Sequence, residues 1–344
     1  MKFFQFLVCI GLIFLPPSVS AFEDITPYKF TETDLQKGLS ELSYNIPPSS
    51  RFTLNRPQEN VQKIIYYISV PKEKESYPLA ILCTGSSSKD DISSIIHLHR
   101  YFLQEFLDLG SGVLTVEQWG VDGNNTDPEV FMTHYTRSQR LEDHQNVINF
   151  LKSHPPKWWN GKLVFLGVSE GGPLVTRLTE LYPDITIATL NWSGAGDWSW
   201  DKELWAFLEN MFKNAPLSFK LRRFLPNWVP FFLPFPKTKK EYDLQMQETL
   251  LNPTPEKEFM GMTYQYHADA LLSPPCDYEK LKTPFLVVAG TQDSLLSSTD
   301  AFVQKARDAG ANITYFRIED MDHFVRKRPD IIQKSFEWLK RHLT

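Results

Sequence analysis

The stretch KLVFLGVSEGGPLVTRL, Lys162 to Leu178, decides how this chain is read. An apolar run ends at Val168 within Gly167-Val168-Ser169-Glu170-Gly171-Gly172, and Leu174, Leu178 and Leu181 then recur at helical spacing. A serine between glycines, where a strand gives way to a helix, has two explanations. One is a tight turn that needs small residues; the other is a nucleophile held out on a strained turn. The rest of the chain has to distinguish them.

Working outward, the same alternation continues on both sides. VQKIIYYISV (61–70) is β-branched and aromatic, as strands are. PLAILCTG (78–85) is a short apolar run ending in glycine, the pattern of a buried parallel strand. GVLTVEQWG (112–120), DITIATLNWS (184–193), TPFLVVAGTQD (283–293) and NITYFRIED (312–320) predict further strands. Helical periodicity falls on 92–110, on 138–152 and on 328–342. Strands alternating with helices predict an α/β fold, with a mostly parallel sheet and helices on both faces.

Residues 195–275 break this rhythm. They contain Trp198, Trp200, Trp205, Trp228 and the run FLPNWVPFFLPFPKTKK (224–240). The stretch is too long for a simple connection. It predicts an inserted, mainly helical cap packed over the mouth of the sheet, which divides the core into 61–194 and 276–344. Residues 22–60, polar and holding Pro47, Pro48 and Pro57, read as a loosely structured lead-in.

Of the 344 residues, 42% are hydrophobic and 22% charged, a globular composition, and the net charge of −5 offers no basic surface to nucleic acid. The start is different. Lys2 precedes an apolar run from Phe3 to Leu15, then Pro16-Pro17, with small residues at Val19 and Ala21. The run is short of the roughly 20 residues a bilayer span needs. It predicts a signal peptide, 1–21, cleaved near Ala21, and export to a periplasm, a lumen or the medium. Cys9 leaves with that leader. The spacing of Cys83 and Cys276 does not demand a disulfide. No Cys-x-x-Cys or His-x-x-x-His pair suggests a metal site, and acyl transfer through a serine would need no organic cofactor either. Asn124, Asn191 and Asn312 begin glycosylation sequons, but Asn191 ends an apolar strand where a glycan would not fit.

A serine hydroxyl is a weak nucleophile. It needs a base, and the base needs a third group to fix its tautomer. In a parallel sheet these groups belong just beyond the C-terminal ends of strands. Ser169 follows the strand ending at Val168, Asp293 follows FLVVAG by a few residues, and His323 follows ITYFRI, in EDMDHF. Asp320 and Asp322 compete with Asp293 as the acid, and Asp293 also suits a helix cap. The remaining histidines read as solvent-facing or structural: His144 belongs to a core face, and only His267 is a candidate substrate contact.

On these residues the chain from about residue 61 to its end resembles the α/β-hydrolase superfamily. Its Gly-Val-Ser-Glu-Gly-Gly turn is similar to the dienelactone hydrolase and prolyl-oligopeptidase-like branches, and to acyl-thioester hydrolases of that fold. The resemblance implies Ser169 as nucleophile, Asp293 as acid and His323 as base. It also implies an oxyanion hole. The N–H of Glu170 is the first donor, and the second comes from the loop Thr84–Ser88, where the N–H of Ser86 is preferred and Gly85 stands beside it. Many members carry His-Gly there, whereas this chain has Thr84-Gly85. The Glu170 side chain reads as a solvent-edge or pocket residue, or as a contact for a substrate amine.

The expected activity is that of a secreted serine hydrolase cleaving an ester or thioester of a small acyl substrate with an apolar part. A serine peptidase, with Glu203, Glu209, Glu241 or Glu248 holding an amine, is the alternative within enzymes. A non-catalytic ligand-binding protein is the alternative outside them. WVPFFLPF (228–235), followed by KTKK (237–240), resembles an interfacial anchor and makes membrane-surface contact through the cap a further expectation.

Overall fold

The computed structural model describes residues 51–57, 61–71, 76–89, 91–123, 125–214, 236 and 238–343. The expected leader, residues 22–50 of the lead-in and the aromatic tip 228–235 lie outside the described residues.

Eight strands form one sheet: β1 (Arg51–Leu54), β2 (Ile64–Ser69), β3 (Tyr77–Cys83), β4 (Gly112–Val116), β5 (Trp159–Val168), β6 (Thr186–Trp192), β7 (Phe285–Gly290) and β8 (Ile313–Ile318). Their order is β1-β2-β4-β3-β5-β6-β7-β8. The β1–β2 and β2–β4 pairs are antiparallel, and every later pair is parallel. The helices are α1 (Ile96–Asp108), α2 (Pro128–His134), α3 (Arg137–Ser153), α4 (Gly171–Leu181), α5 (Trp200–Asn214), α6 (Lys239–Leu251), α7 (Tyr264–Leu272), α8 (Leu296–Asp308) and α9 (Pro329–Leu343).

The unbroken apolar runs of the central strands follow from burial on both faces. In β3, Leu79, Ile81 and Cys83 pack with Val147 and Leu151 of α3 and with Val175 and Leu178 of α4. Ala80 and Leu82 point the other way, to Phe102 and Phe106 of α1 and to Phe336 and Leu339 of α9. Period-two alternation within one strand thus feeds two separate cores.

The sheet starts earlier than the sequence pattern indicated. β1 lies within the expected lead-in, where Phe52 stacks on Tyr66 at 5.4 Å. Just beyond it, Arg56 is buried, grips Asp143 of α3 through two hydrogen bonds of 2.9 and 2.7 Å, and lies 3.6 Å over Trp119. A four-residue edge strand with mostly exposed side chains carries too little periodicity to be read from the chain alone. β4 ends sooner than expected, at Val116. Glu117 turns inward there and accepts from Ile95 N–H, Tyr67 Oη and Ser94 Oγ, while burial raises its pKa to about 7.

Between β6 and β7 the chain builds α5, α6 and α7 around its own cluster, with Leu204, Leu208, Tyr242, Met246 and Phe259. Trp205 packs 5.1 Å from Tyr242, and Trp200 Nε1 donates to His267 Nδ1. These rings hold the insertion together, so the aromatic content of 195–275 is not by itself an argument for an apolar substrate. Among the described residues no helix is long and apolar enough to cross a membrane. Cys83 and Cys276 are both free thiols, the first buried with Sγ 3.4 Å from His144 Nε2.

Candidate active site

Ser169 stands one residue past β5 with φ of +52°, in the left-handed region. For a non-glycine residue that backbone is disfavoured by roughly 1–2 kcal/mol. The surroundings hold it: Ser169 N–H donates to Trp192 O at 2.8 Å, and Ser169 O accepts from Gly172 N–H at 2.7 Å. The glycines around it are needed for close approach. A Cβ on Gly171 would lie 2.2 Å from Cys83 O, and one on Gly194 would lie 2.0 Å from Ser169 O.

Asp293 sits in the turn after β7. Its Oδ1 accepts from Leu295 N–H at 3.0 Å, and its Oδ2 accepts from His323 Nδ1 at 2.8 Å. The local turn role and the contact to histidine therefore coexist on separate oxygens. His323 follows β8, and its Nε2 lies 2.8 Å from Ser169 Oγ. The competing acids face elsewhere: Asp322 accepts from Phe324 N–H and pairs with Lys327, and Asp320 meets Gln292. Strand β7 is pressed onto the loop carrying His323, since a Cβ on Gly290 would lie 2.0 Å from Met321 O.

Burial opposes a charge on His323, but the Asp293 carboxylate and its hydrogen bond outweigh burial. Asp322 adds to them and Arg326 opposes, leaving the imidazole above its ordinary value. With Nδ1–H directed at Asp293, the neutral ring offers its Nε2 lone pair to the Ser169 hydroxyl. A base must be unprotonated to act. For a His323 that acts as base, the rising limb of kcat/KM against pH is expected at a midpoint above that of an ordinary histidine. Asp293→Asn should move that midpoint down, and a pH–rate profile of both proteins reads the difference.

The loop after β3 reaches the same place. A Cβ on Gly85 would lie 3.4 Å from Ser169 Cβ and 3.8 Å from its Oγ. Ser86 is exposed. The N–H of Ser87 is spent on Tyr135 Oη at 3.1 Å, and that of Ser88 on Asp91 Oδ1. Glu170 opens α4, whose first N–H groups have no partner within the helix.

Two expectations need correction. The Glu170 carboxylate is neither at a solvent edge nor open to an amine. It is buried, accepts from Arg137 Nε and Nη2 at 2.7 and 2.9 Å, and also accepts from Tyr266 Oη of α7. Burial opposes its charge, yet Arg137 holds its pKa below the ordinary carboxylate value. His267 is no substrate contact. It is buried between Trp200 Nε1, which donates to its Nδ1 at 3.0 Å, and Phe259 O, which accepts from its Nε2 at 2.7 Å. Burial pushes its pKa down to about 4, so it is a neutral brace inside the cap. His144 has the structural place expected, with Nδ1 on Arg140 O at 2.7 Å.

Sequence reasoning missed Arg137, Arg140, Tyr135 and Tyr266. The signal was present at the start of α3, whose first turn carries no acidic residue and two arginines. Cations are unfavourable at a helix N-terminus, so an arginine pair there needs a local reason.

No family model matches the chain, and no curated protein matches it. Solved structures do resemble it. Est1E from Butyrivibrio proteoclasticus has a TM-score of 0.51 at 15% identity, over 85% of this chain and 98% of that one. VinJ has a TM-score of 0.54 at 17% identity, over 87% and 100%. Mouse alpha/beta hydrolase domain-containing protein 10 has a TM-score of 0.51 at 15% identity, over 86% and 100%. At such identities the likeness speaks for architecture. Together with the strand order and the two helical layers, it shows that this chain has the α/β-hydrolase fold.

Proposed function

We propose that the protein is a serine hydrolase that cleaves an ester or thioester of a small acyl substrate through an acyl-enzyme. The reading rests on one observation: two successive 2.8 Å hydrogen bonds run from Asp293 through His323 to Ser169, which stands on a left-handed elbow. In the proposed reaction His323 Nε2 takes the hydroxyl proton as Ser169 Oγ attacks the carbonyl carbon. Asp293 supports the imidazolium, which then gives its proton to the leaving alcohol or thiol. Water, deprotonated by the same nitrogen, attacks the acyl-enzyme and releases the acid and free Ser169.

Peptidase action on a free amino terminus has less support. The Glu170 charge is committed to Arg137. The Glu203 carboxyl accepts from Ser298 Oγ at 2.7 Å, and its pKa is raised to about 7, chiefly by burial. A half-neutral carboxyl is a weak anchor for an ammonium group. Export after cleavage near Ala21 completes the proposal and rests on the N-terminal sequence pattern alone.

A fluorescent fluorophosphonate reacts with activated serines and barely with ordinary ones. Labelling of the wild type and its loss in Ser169→Ala is the expected result. A folded wild type that takes no label, and hydrolyses no chromogenic ester, would favour a ligand-binding protein instead.

A further inference from the structure

We infer that Arg140, with Arg137 one turn before it, is a positioning residue for the oxyanion hole, and that Gly85 N–H rather than Ser86 N–H is the second donor. The inference rests on the serine-hydrolase reading above.

The argument starts from one peptide unit. Arg140 Nη2 donates to Thr84 O at 2.7 Å. Among the described residues no peptide bond is cis. In a planar trans peptide the N–H points away from the carbonyl of the same unit. With Thr84 O held on the Arg140 side, Gly85 N–H is directed to the opposite side. Gly85 also stands against the nucleophile, since a Cβ there would lie 3.4 Å from Ser169 Cβ. A guanidinium on the carbonyl polarises the whole amide, which makes its N–H a stronger donor.

The rest of the loop is braced by the same group. Arg140 lies over the Tyr135 ring, 5.7 Å from its centroid, and Tyr135 Oη accepts the N–H of Ser87. The loop is thus gripped at Thr84 and at Ser87, and the Gly85 and Ser86 amides span the interval. Of these two residues, Ser86 is the exposed one.

Arg137 grips the other donor segment. Positions i and i+3 share a helix face. From that face Arg137 takes both carboxylate oxygens of Glu170, whose own N–H follows the nucleophile. One turn of α3 therefore holds the Thr84 carbonyl through Arg140 and the Glu170 side chain through Arg137. The pairing also answers an electrostatic problem. A lone carboxylate one residue from the nucleophile would repel an oxyanion, and the Arg137 guanidinium paired with it offsets that repulsion.

The test compares wild type with Arg140→Met and Arg140→Lys on a p-nitrophenyl ester and on its thiono counterpart. Sulfur accepts hydrogen bonds poorly, so an aligned hole gives a high oxygen-to-sulfur rate ratio and a misaligned hole a low one. Removing a whole oxyanion donor costs roughly 10²–10³-fold in kcat. Misaligning one by Arg140→Met should cost about 10–100-fold in kcat on that scale, with KM little changed and the oxygen-to-sulfur ratio reduced. Arg140→Lys keeps a charged donor and should recover much of both. A wild-type ratio in Arg140→Met would overturn the inference, even if kcat and melting temperature fell. If Arg140→Met does not fold, Tyr135→Phe, which frees the Ser87 N–H, is read instead: a lowered ratio supports the inference, and a wild-type ratio overturns it. A wild type inert to both the ester and the fluorophosphonate would instead remove the serine-hydrolase reading on which the inference stands.

Discussion

Replacing His323 with alanine is expected to lower kcat on the order of 10⁴- to 10⁶-fold, with KM changed far less. The size follows from the role. In the proposed reaction, losing the Nε2 that lies 2.8 Å from Ser169 Oγ removes the acceptor for the hydroxyl proton and the donor for the leaving group. The fold should tolerate the loss. The His323 side chain is 29% exposed, and its removal leaves no large cavity. Steady-state turnover of a chromogenic ester, read beside a thermal melt, separates chemistry from stability. A variant that keeps its melting temperature and loses less than about tenfold in kcat would mean that Ser169 is activated by another group or is not the nucleophile.

Gly171→Ala should be the most damaging small substitution in the elbow. The added methyl would lie 2.2 Å from Cys83 O, 2.7 Å from Cys83 C and 2.8 Å from Thr84 O. All three are backbone atoms, so no side chain can swing aside. Helix α4 and the end of β3 must separate instead, at a cost of about 3 kcal/mol or more. The displaced atoms carry Thr84 and Gly85, so activity should fall beyond what the loss of folded protein explains. A denaturant melt with an active-site titration on the same sample checks both parts. Wild-type stability in this variant would show that the elbow is less tightly packed than the structure has it.

The meeting of Ser169, His323 and Asp293 was legible in the sequence because each residue carried its own marker. Ser169 announced itself through its glycines, and Asp293 and His323 through the strands before them. The parallel strands were legible as unbroken apolar runs, since burial on both faces leaves no polar alternation. What stayed hidden were contacts distant along the chain. Arg56 reaches Asp143, Tyr266 reaches Glu170, and Arg140 reaches Thr84. A buried ion pair has no periodicity; each partner alone looks like an ordinary surface charge. Glu170 was misjudged for that reason. His267 was misjudged because a histidine near a site and one inside a helical brace are the same letter, and only Trp200 and Phe259 O tell them apart.

The contact of Tyr266 with Glu170 bears on how such an insertion can be exchanged. A cap that touched the core only through apolar surface could be swapped among relatives like an interchangeable part. Here α7 supplies a hydroxyl to Glu170, the residue after Ser169, and the Trp200 ring of α5 lies 4.7 Å from the Arg137 guanidinium. A chimera carrying a foreign insertion would inherit Glu170 and Arg137 without their lid-side neighbours. Recombination at the ends of β6 and β7 would then need to move these four residues as one heritable block.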